Sequence, residues 1–164
     1  MKKTVFTLLA IFIVFSTLAQ TDTSQPYFKS PSIAAFNIRK VPDSSSFTNN
    51  LLQKNKPTVL IFFNPDCDHC QHATQNLTSK IDQLKDVQIL MVSVMDFNLV
   101  NKFYEDYKIA DCPNITMARD GKYELPRFYN IHSIPDVYVY DKKGKFLNHY
   151  KSTIPVEEIA ALLK

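Results

Sequence analysis

The sequence predicts an α/β domain, a central mixed sheet flanked by helices. Three observations carry that expectation. Val59 to Phe63 is an unbroken apolar run rich in β-branched and aromatic residues, the pattern of a fully buried strand. Val87 to Met95 is a second such run, reached after a segment of helical periodicity. Near the end, Val137 to Tyr140 and Lys145 to Tyr150 flank Asp141-Lys142-Lys143-Gly144, a hairpin pattern in which Gly144 is available for positive φ.

Taken in order, the chain of 164 residues opens with a targeting pattern. Met1-Lys2-Lys3 is a short basic start, Val5 to Leu18 is mostly apolar, and Thr17-Leu18-Ala19 offers small residues before a cut at Gln20. Residues 1–19 therefore read as a secretory signal peptide. The competing reading is an uncleaved anchor helix, but the run is on the short side for a bilayer span of about 20 residues. No cysteine follows it, which argues against a lipoprotein, and no other segment is apolar and long enough to span a membrane. Residues 20–32, rich in Thr, Ser, Gln and Pro, read as a linker, leaving one domain over 33–164.

Within that domain Ala34 to Val41 alternates in part and suggests an edge strand. Pro42 to Ser46 reads as a turn, and Ser46 to Lys54 as a short helix capped by Ser45 or Ser46. Thr58 to Phe63 is the central strand. From about Cys67 to Leu84 a helix is expected, with Cys70, Ala73, Leu77, Ile81 and Leu84 on one face. Phe97 to Tyr107 reads as an amphipathic helix, Ile115 to Ala118 as a short strand, and Tyr123 to Tyr129 as a short helix. Pro155 to Leu163 closes the chain as a helix, with proline suited to its first turn. Alternating strands and helices imply helices on both faces of the sheet, parallel pairing in the first part, and antiparallel pairing of the last two strands.

Charge excludes little but points nowhere exotic. Removing residues 1–19 takes two lysines from the 19 basic residues, leaving 17 against 16 acidic ones, a net of +1. That balance calls for neither nucleic acid nor an acidic membrane surface. Three cysteines are too few for a disulfide-stapled scaffold of this length. In the oxidising setting that export implies, one close pair plus one extra fits a redox centre better.

That pair is Cys67 and Cys70, at Cys-x-x-Cys spacing, where Asn64-Pro65-Asp66 breaks the buried strand and a helix begins. A helix N-terminus carries partial positive charge and free N–H groups, which favour a thiolate on the first cysteine. The second lies one turn on and can close a disulfide. The arrangement, with Ile134-Pro135 ahead of the late hairpin, resembles the thioredoxin fold over roughly residues 34–164. In the resemblance Cys67 and Cys70 match the nucleophilic and resolving cysteines, and Pro135 matches the cis-proline that packs beside the disulfide and holds substrate backbone. The longer gap between Cys67 and Pro135 implies a strand–helix insertion within 96–122. With the export signal, this is similar to the TlpA/ResA-like branch of exported thiol-disulfide oxidoreductases, periplasmic or secreted.

Several residues depart from that family. Asp66 stands where Trp usually precedes the first cysteine, and the chain has no Trp. Ile61 occupies the position of the buried acidic proton relay. The inner dipeptide is Asp68-His69. A His before the second cysteine resembles the oxidising and isomerising members, whereas Ile134 before the proline resembles the reducing ones, so the two cues point in opposite directions.

The resemblance implies that Cys67 attacks a substrate disulfide and Cys70 resolves the mixed disulfide, with Asp68, His69, Ile134 and Pro135 supporting. His69 would stabilise the thiolate. Asp66 and Asp68 act the other way: a charge ~7 Å off in water is worth roughly 0.6 kcal/mol, against 0.3–1 kcal/mol for a helix end. Alternatively, Asp66 simply caps the helix. No dissociable cofactor is expected, because the dithiol itself carries two electrons. The partners would be protein thiols or disulfides and a redox protein that recharges the pair.

The competing class is a non-catalytic exported binding module with a static Cys67–Cys70 disulfide. A metal site using Cys67, His69, Cys70 and His72 is disfavoured, because those positions on one helical start do not converge tetrahedrally. Cys112 is expected to be a buried, inert thiol, with a redox or intermolecular role as the alternatives. His132 and His149 are expected to be surface or structural residues, and Tyr129 and Phe128 to border the active face or pack the helix.

Overall fold

A computed structural model describes residues 32–164. The signal segment and all but the last residue of the 20–32 linker lie outside the described residues. The strands are β1 (Asn37–Val41), β2 (Ser46–Thr48), β3 (Thr58–Phe62), β4 (Gln88–Ser93), β5 (Ile115–Arg119), β6 (Asp136–Tyr140) and β7 (Phe146–Lys151). The helices are α1 (Asp68–Ser79), α2 (Phe97–Asp106), α3 (Glu124–Tyr129) and α4 (Val156–Leu162).

All seven strands form one sheet in the order β2-β1-β5-β4-β3-β6-β7. The β3–β4 and β4–β5 pairs are parallel; β3–β6, β6–β7, β1–β2 and β1–β5 are antiparallel. Every residue of β3, β4 and β6 is buried, because both faces of the sheet are covered. One face packs Val59, Ile61, Met91 and Val137 against Cys70 and Leu77 of α1, Val100 and Phe103 of α2, and Val156 and Ile159 of α4. The other packs Leu60, Phe62, Leu90 and Tyr138 against Leu125 and Tyr129 of α3 and Phe36 of the N-terminal segment. The fold is thus the mixed α/β architecture that the alternation of elements predicts, with the thioredoxin-like order of elements that the resemblance implies. Between β4 and α3 the chain adds α2 and β5.

Three local expectations need correction. The short helix over Ser46–Lys54 is instead β2 followed by a single 3-10 turn at Asn49–Leu51. Phe47, partly buried and stacked on Phe36 with ring centroids 5.9 Å apart, draws this segment onto the sheet. In consequence β1 is an inner strand, with β2 outside it. The helix after Cys67 stops at Ser79, and Ile81–Leu84 continues only as a 3-10 turn. The hydroxyls of Thr78 and Ser79 donate to the Gln75 and Asn76 carbonyls, competing with the helical ladder at its last turn.

Candidate functional site

The parallel strands place the C-terminal ends of β3, β4 and β5 at one end of the sheet, and the Cys-x-x-Cys loop leaves β3 there. Asn64 organises the turn: its side-chain oxygen accepts the Asp66 amide at 2.9 Å and its carbonyl accepts the Cys67 amide at 3.1 Å. The Gln71 side-chain amide donates to the Pro65 carbonyl at 2.8 Å, tying the turn to α1. Asp66 does not cap the helix. Cys67 itself occupies the N-cap position in extended geometry, and no side chain makes a capping hydrogen bond there. Cys67 thus opens the helix, and the first-turn N–H groups have no side-chain capping partner.

The two cysteines differ sharply. Cys67 is partly exposed, and Cys70 is completely buried among Ile61, Leu77 and Val137. Burial pushes the Cys70 thiol up to about 12; the charge and hydrogen bond of neighbouring Cys67 add to the rise, while a backbone group of Asn64 opposes it. The position six residues before Cys67 is the fully buried Ile61, in the same apolar cluster as Cys70. Asp68, His69 and His72 are exposed.

Antiparallel β6 sets Asp136 opposite Phe62, which puts Pro135 at the end of β3 where the cysteine loop departs. The Ile134–Pro135 peptide is cis, and the Pro135 carbonyl accepts the Ser152 amide at 2.7 Å. Ile134 and Cys67 pack against the same core cluster. Two clefts flank the cysteine turn. One, about 570 Å³, is mostly polar and lies between α1 and α2, lined by Asp66, Gln71 and Tyr107 among others. The other, about 380 Å³, is apolar and is lined by Phe63, Val94, Tyr123 and Ile134 among others.

A buried polar pair stands directly after Pro135, which the sequence reading missed. The Asp136 carboxylate is 2 % exposed; it meets His149 Nε2 and accepts the Tyr138 hydroxyl at 3.3 Å. The His149 ring stacks on Tyr138 at 4.2 Å. These contacts anchor the start of β6 on the sheet face away from α1. The adjacency Pro135-Asp136 was the available signal, an acid opening an otherwise apolar strand. His149, expected to be a surface or structural residue, is held in this pair behind Pro135. Tyr129 is buried on that same far face, its hydroxyl 2.7 Å from that of Tyr140, and Phe128 packs beside it; neither borders the cysteines.

Cys112 is 4 % exposed, and burial, followed by the charge of Asp111, pushes its thiol up. It precedes β5, at the end of the sheet remote from Cys67. Among the described residues no cluster of three or more His, Cys, Asp or Glu side chains is arranged to hold a metal ion, and no helix is long and apolar enough to cross a membrane.

A family model described as a thioredoxin-like domain matches residues 47–164. Among solved structures, a secreted disulfide oxidoreductase of Mycobacterium tuberculosis, described as homologous to DsbE of E. coli, is similar at 21 % identity. That alignment has a TM-score of 0.63 and covers 77 % of this chain and 92 % of the other. StoA from Bacillus subtilis matches at 20 % identity and TM-score 0.58, covering 81 % and 98 %. ScoI of Arabidopsis thaliana, solved with copper bound, matches at 18 % and 0.63, covering 80 % and 94 %. At these identities the likeness is one of fold. No curated protein sequence matches the chain.

Proposed function

The chain belongs to the thioredoxin-like domain family, and from that premise we propose that it is an exported thiol-disulfide oxidoreductase, exchanging electrons with protein cysteines through Cys67 and Cys70. The observation that carries the reading is the asymmetry of the pair. A partly exposed sulfur at a helix N-cap sits one turn from a fully buried one, at the sheet end that also holds cis-Pro135. The fold likeness to a secreted disulfide oxidoreductase supports the same reading, as does the signal-like segment at residues 1–19.

In the reducing direction the Cys67 thiolate attacks one sulfur of a substrate disulfide. A mixed disulfide forms and the other substrate sulfur leaves as a thiolate. Cys70 then loses its proton and attacks the Cys67 sulfur, releasing the second substrate thiol and leaving a Cys67–Cys70 disulfide. Two electrons and two protons have passed to the substrate. The oxidising direction is the reverse. Burial and a neighbouring thiolate both hold the Cys70 proton in the resting dithiol. Once Cys67 is engaged in the mixed disulfide, its charge is gone and that part of the hold is released, so resolution is favoured only after attack.

Pro135 and Ile134 would border the bound substrate chain, and exposed Asp68 and His69 would tune the Cys67 thiolate. A redox protein of the same compartment would return the pair to its working state. The test is disulfide exchange on a model protein disulfide. The wild type should turn over, Cys67→Ser should abolish turnover, and Cys70→Ser should accumulate a mixed disulfide. A pair resisting both mild reduction and subsequent labelling would leave a static disulfide, and the redox role would fall.

A further inference from the structure

The near-neutral total charge hides a local concentration of lysine. A cleft of about 420 Å³ opens at the end of the sheet opposite the cysteines, and Lys54, Lys56, Lys142 and Lys143 line it. The first two come from the loop before β3 and the last two from the β6–β7 turn, so only the fold brings them together. The ion pairs that lysines make among the described residues involve Lys40, Lys80, Lys102 and Lys122, not these four. Asp141, the carboxylate of the same turn, accepts the amides of Lys143 and Lys145.

The cleft is braced. Gln88, 9 % exposed, takes the Gln53 amide on its oxygen at 2.8 Å, and its nitrogen donates to the carbonyls of Gln53 and Lys56 and to the Thr58 hydroxyl. Asn55 and Gly144 turn the two loops with φ of 60° and 78°. The lysines are thus displayed from fixed backbone. At the cysteine end exposed acids and bases are mixed: Asp66, Asp68 and Asp96 lie there, and Lys102, Lys108 and Arg127 line the clefts beside the turn. Ser32, where the described chain begins, lines the lysine cleft, so the preceding segment joins the domain at this end.

We infer that this lysine-lined end is a docking surface for the anionic headgroups of a phospholipid membrane, holding the Cys67–Cys70 end turned away from the bilayer. Clustered unpaired lysines attract an acidic surface in proportion to their number, and the attraction decays within a Debye length.

The experiment is cosedimentation of the full chain with vesicles of equimolar phosphatidylglycerol and phosphatidylcholine, against vesicles of phosphatidylcholine alone. Wild type should bind the acidic vesicles selectively, and raising salt from about 0.05 M to about 0.5 M should release it. The variant Lys54→Gln/Lys56→Gln/Lys142→Gln/Lys143→Gln should lose about tenfold or more of the acidic-vesicle binding while keeping its thermal melt and disulfide exchange. Should it fold poorly, the turn variant Lys142→Gln/Lys143→Gln should show a smaller loss of the same kind. Lys102→Gln/Lys122→Gln should bind like wild type. Equal, salt-insensitive binding to both vesicle types would assign adsorption to the apolar N-terminal stretch and overturn the inference. So would an unaffected quadruple variant. Displacement by inorganic phosphate at low millimolar concentration would make the cleft a small-anion site instead of a membrane surface.

Discussion

With Cys67 and Cys112 replaced by serine, Cys70 is left as the sole thiol, and it is expected to resist alkylation in the folded protein. Its side chain is fully buried, and its thiol is pushed from 9.0 up to about 12. At pH 8 a thiol near 9 is about 10 % thiolate and one near 12 about 0.01 %, a thousandfold difference in the reactive species. The Cys67→Ser change removes that residue's contribution to the rise, but burial, the largest cause, stays. Native-state labelling by iodoacetamide should therefore remain at least about a hundredfold slower than labelling of the same variant unfolded in urea. The counterpart Cys70→Ser/Cys112→Ser, which retains the partly exposed Cys67, should label rapidly in the native state. Native rates within about tenfold of each other for the two variants would refute the division into an attacking and a protected sulfur.

Other consequences are open to direct test. Leu77→Ala removes a fully buried side chain of α1 and should cost about 2–5 kcal/mol in urea unfolding. Asp120→Ala should cost about 1–3 kcal/mol, because the buried carboxylate accepts the Lys122 and Leu125 amides at the start of α3. Asp136→Ala removes the buried carboxylate that meets His149 Nε2, while the Tyr138 hydroxyl keeps the Tyr129 carbonyl at 3.2 Å, and should cost about 1–3 kcal/mol. A double-mutant cycle with His149→Ala should then show a coupling of about 0.5 kcal/mol or more. Alkaline stability carries a definite sign: the Cys70 thiol is raised above its unfolded value, so its contribution is intact below about pH 9 and is lost as pH climbs toward 12. Cys70→Ala should show a shallower alkaline fall in Tm than the wild type.

What the sequence made legible followed from signals that are local. Thr58 to Phe63 and Val87 to Met95 announce themselves as buried strands because both faces of the sheet demand apolar side chains. Cys67 and Cys70 stand out because their spacing and the strand before them lie within one short segment. The end of α1 was not legible: Ile81 and Leu84 keep the helical spacing, while side-chain hydroxyls of Thr78 and Ser79 break the ladder. Strand β2 was hidden because three residues carry almost no periodicity, and its place is decided by Phe47 packing on Phe36. The Asp136–His149 pair depends on the register of β6 against β7, with Tyr138 opposite His149. The lysine cleft joins positions nearly ninety residues apart, a juxtaposition that no window along the chain contains.

The central claim is that Cys67 and Cys70 form an exchangeable two-electron couple, and its most direct test is the reduction potential. The Cys112→Ser protein would be equilibrated with glutathione buffers and the dithiol fraction read by thiol labelling. The account predicts a reversible two-electron titration with its midpoint between the values of strong disulfide donors and thioredoxin-like reductants, ~−120 mV and ~−270 mV. A pair that never exchanges with the buffer would contradict it and leave the cysteines a structural role.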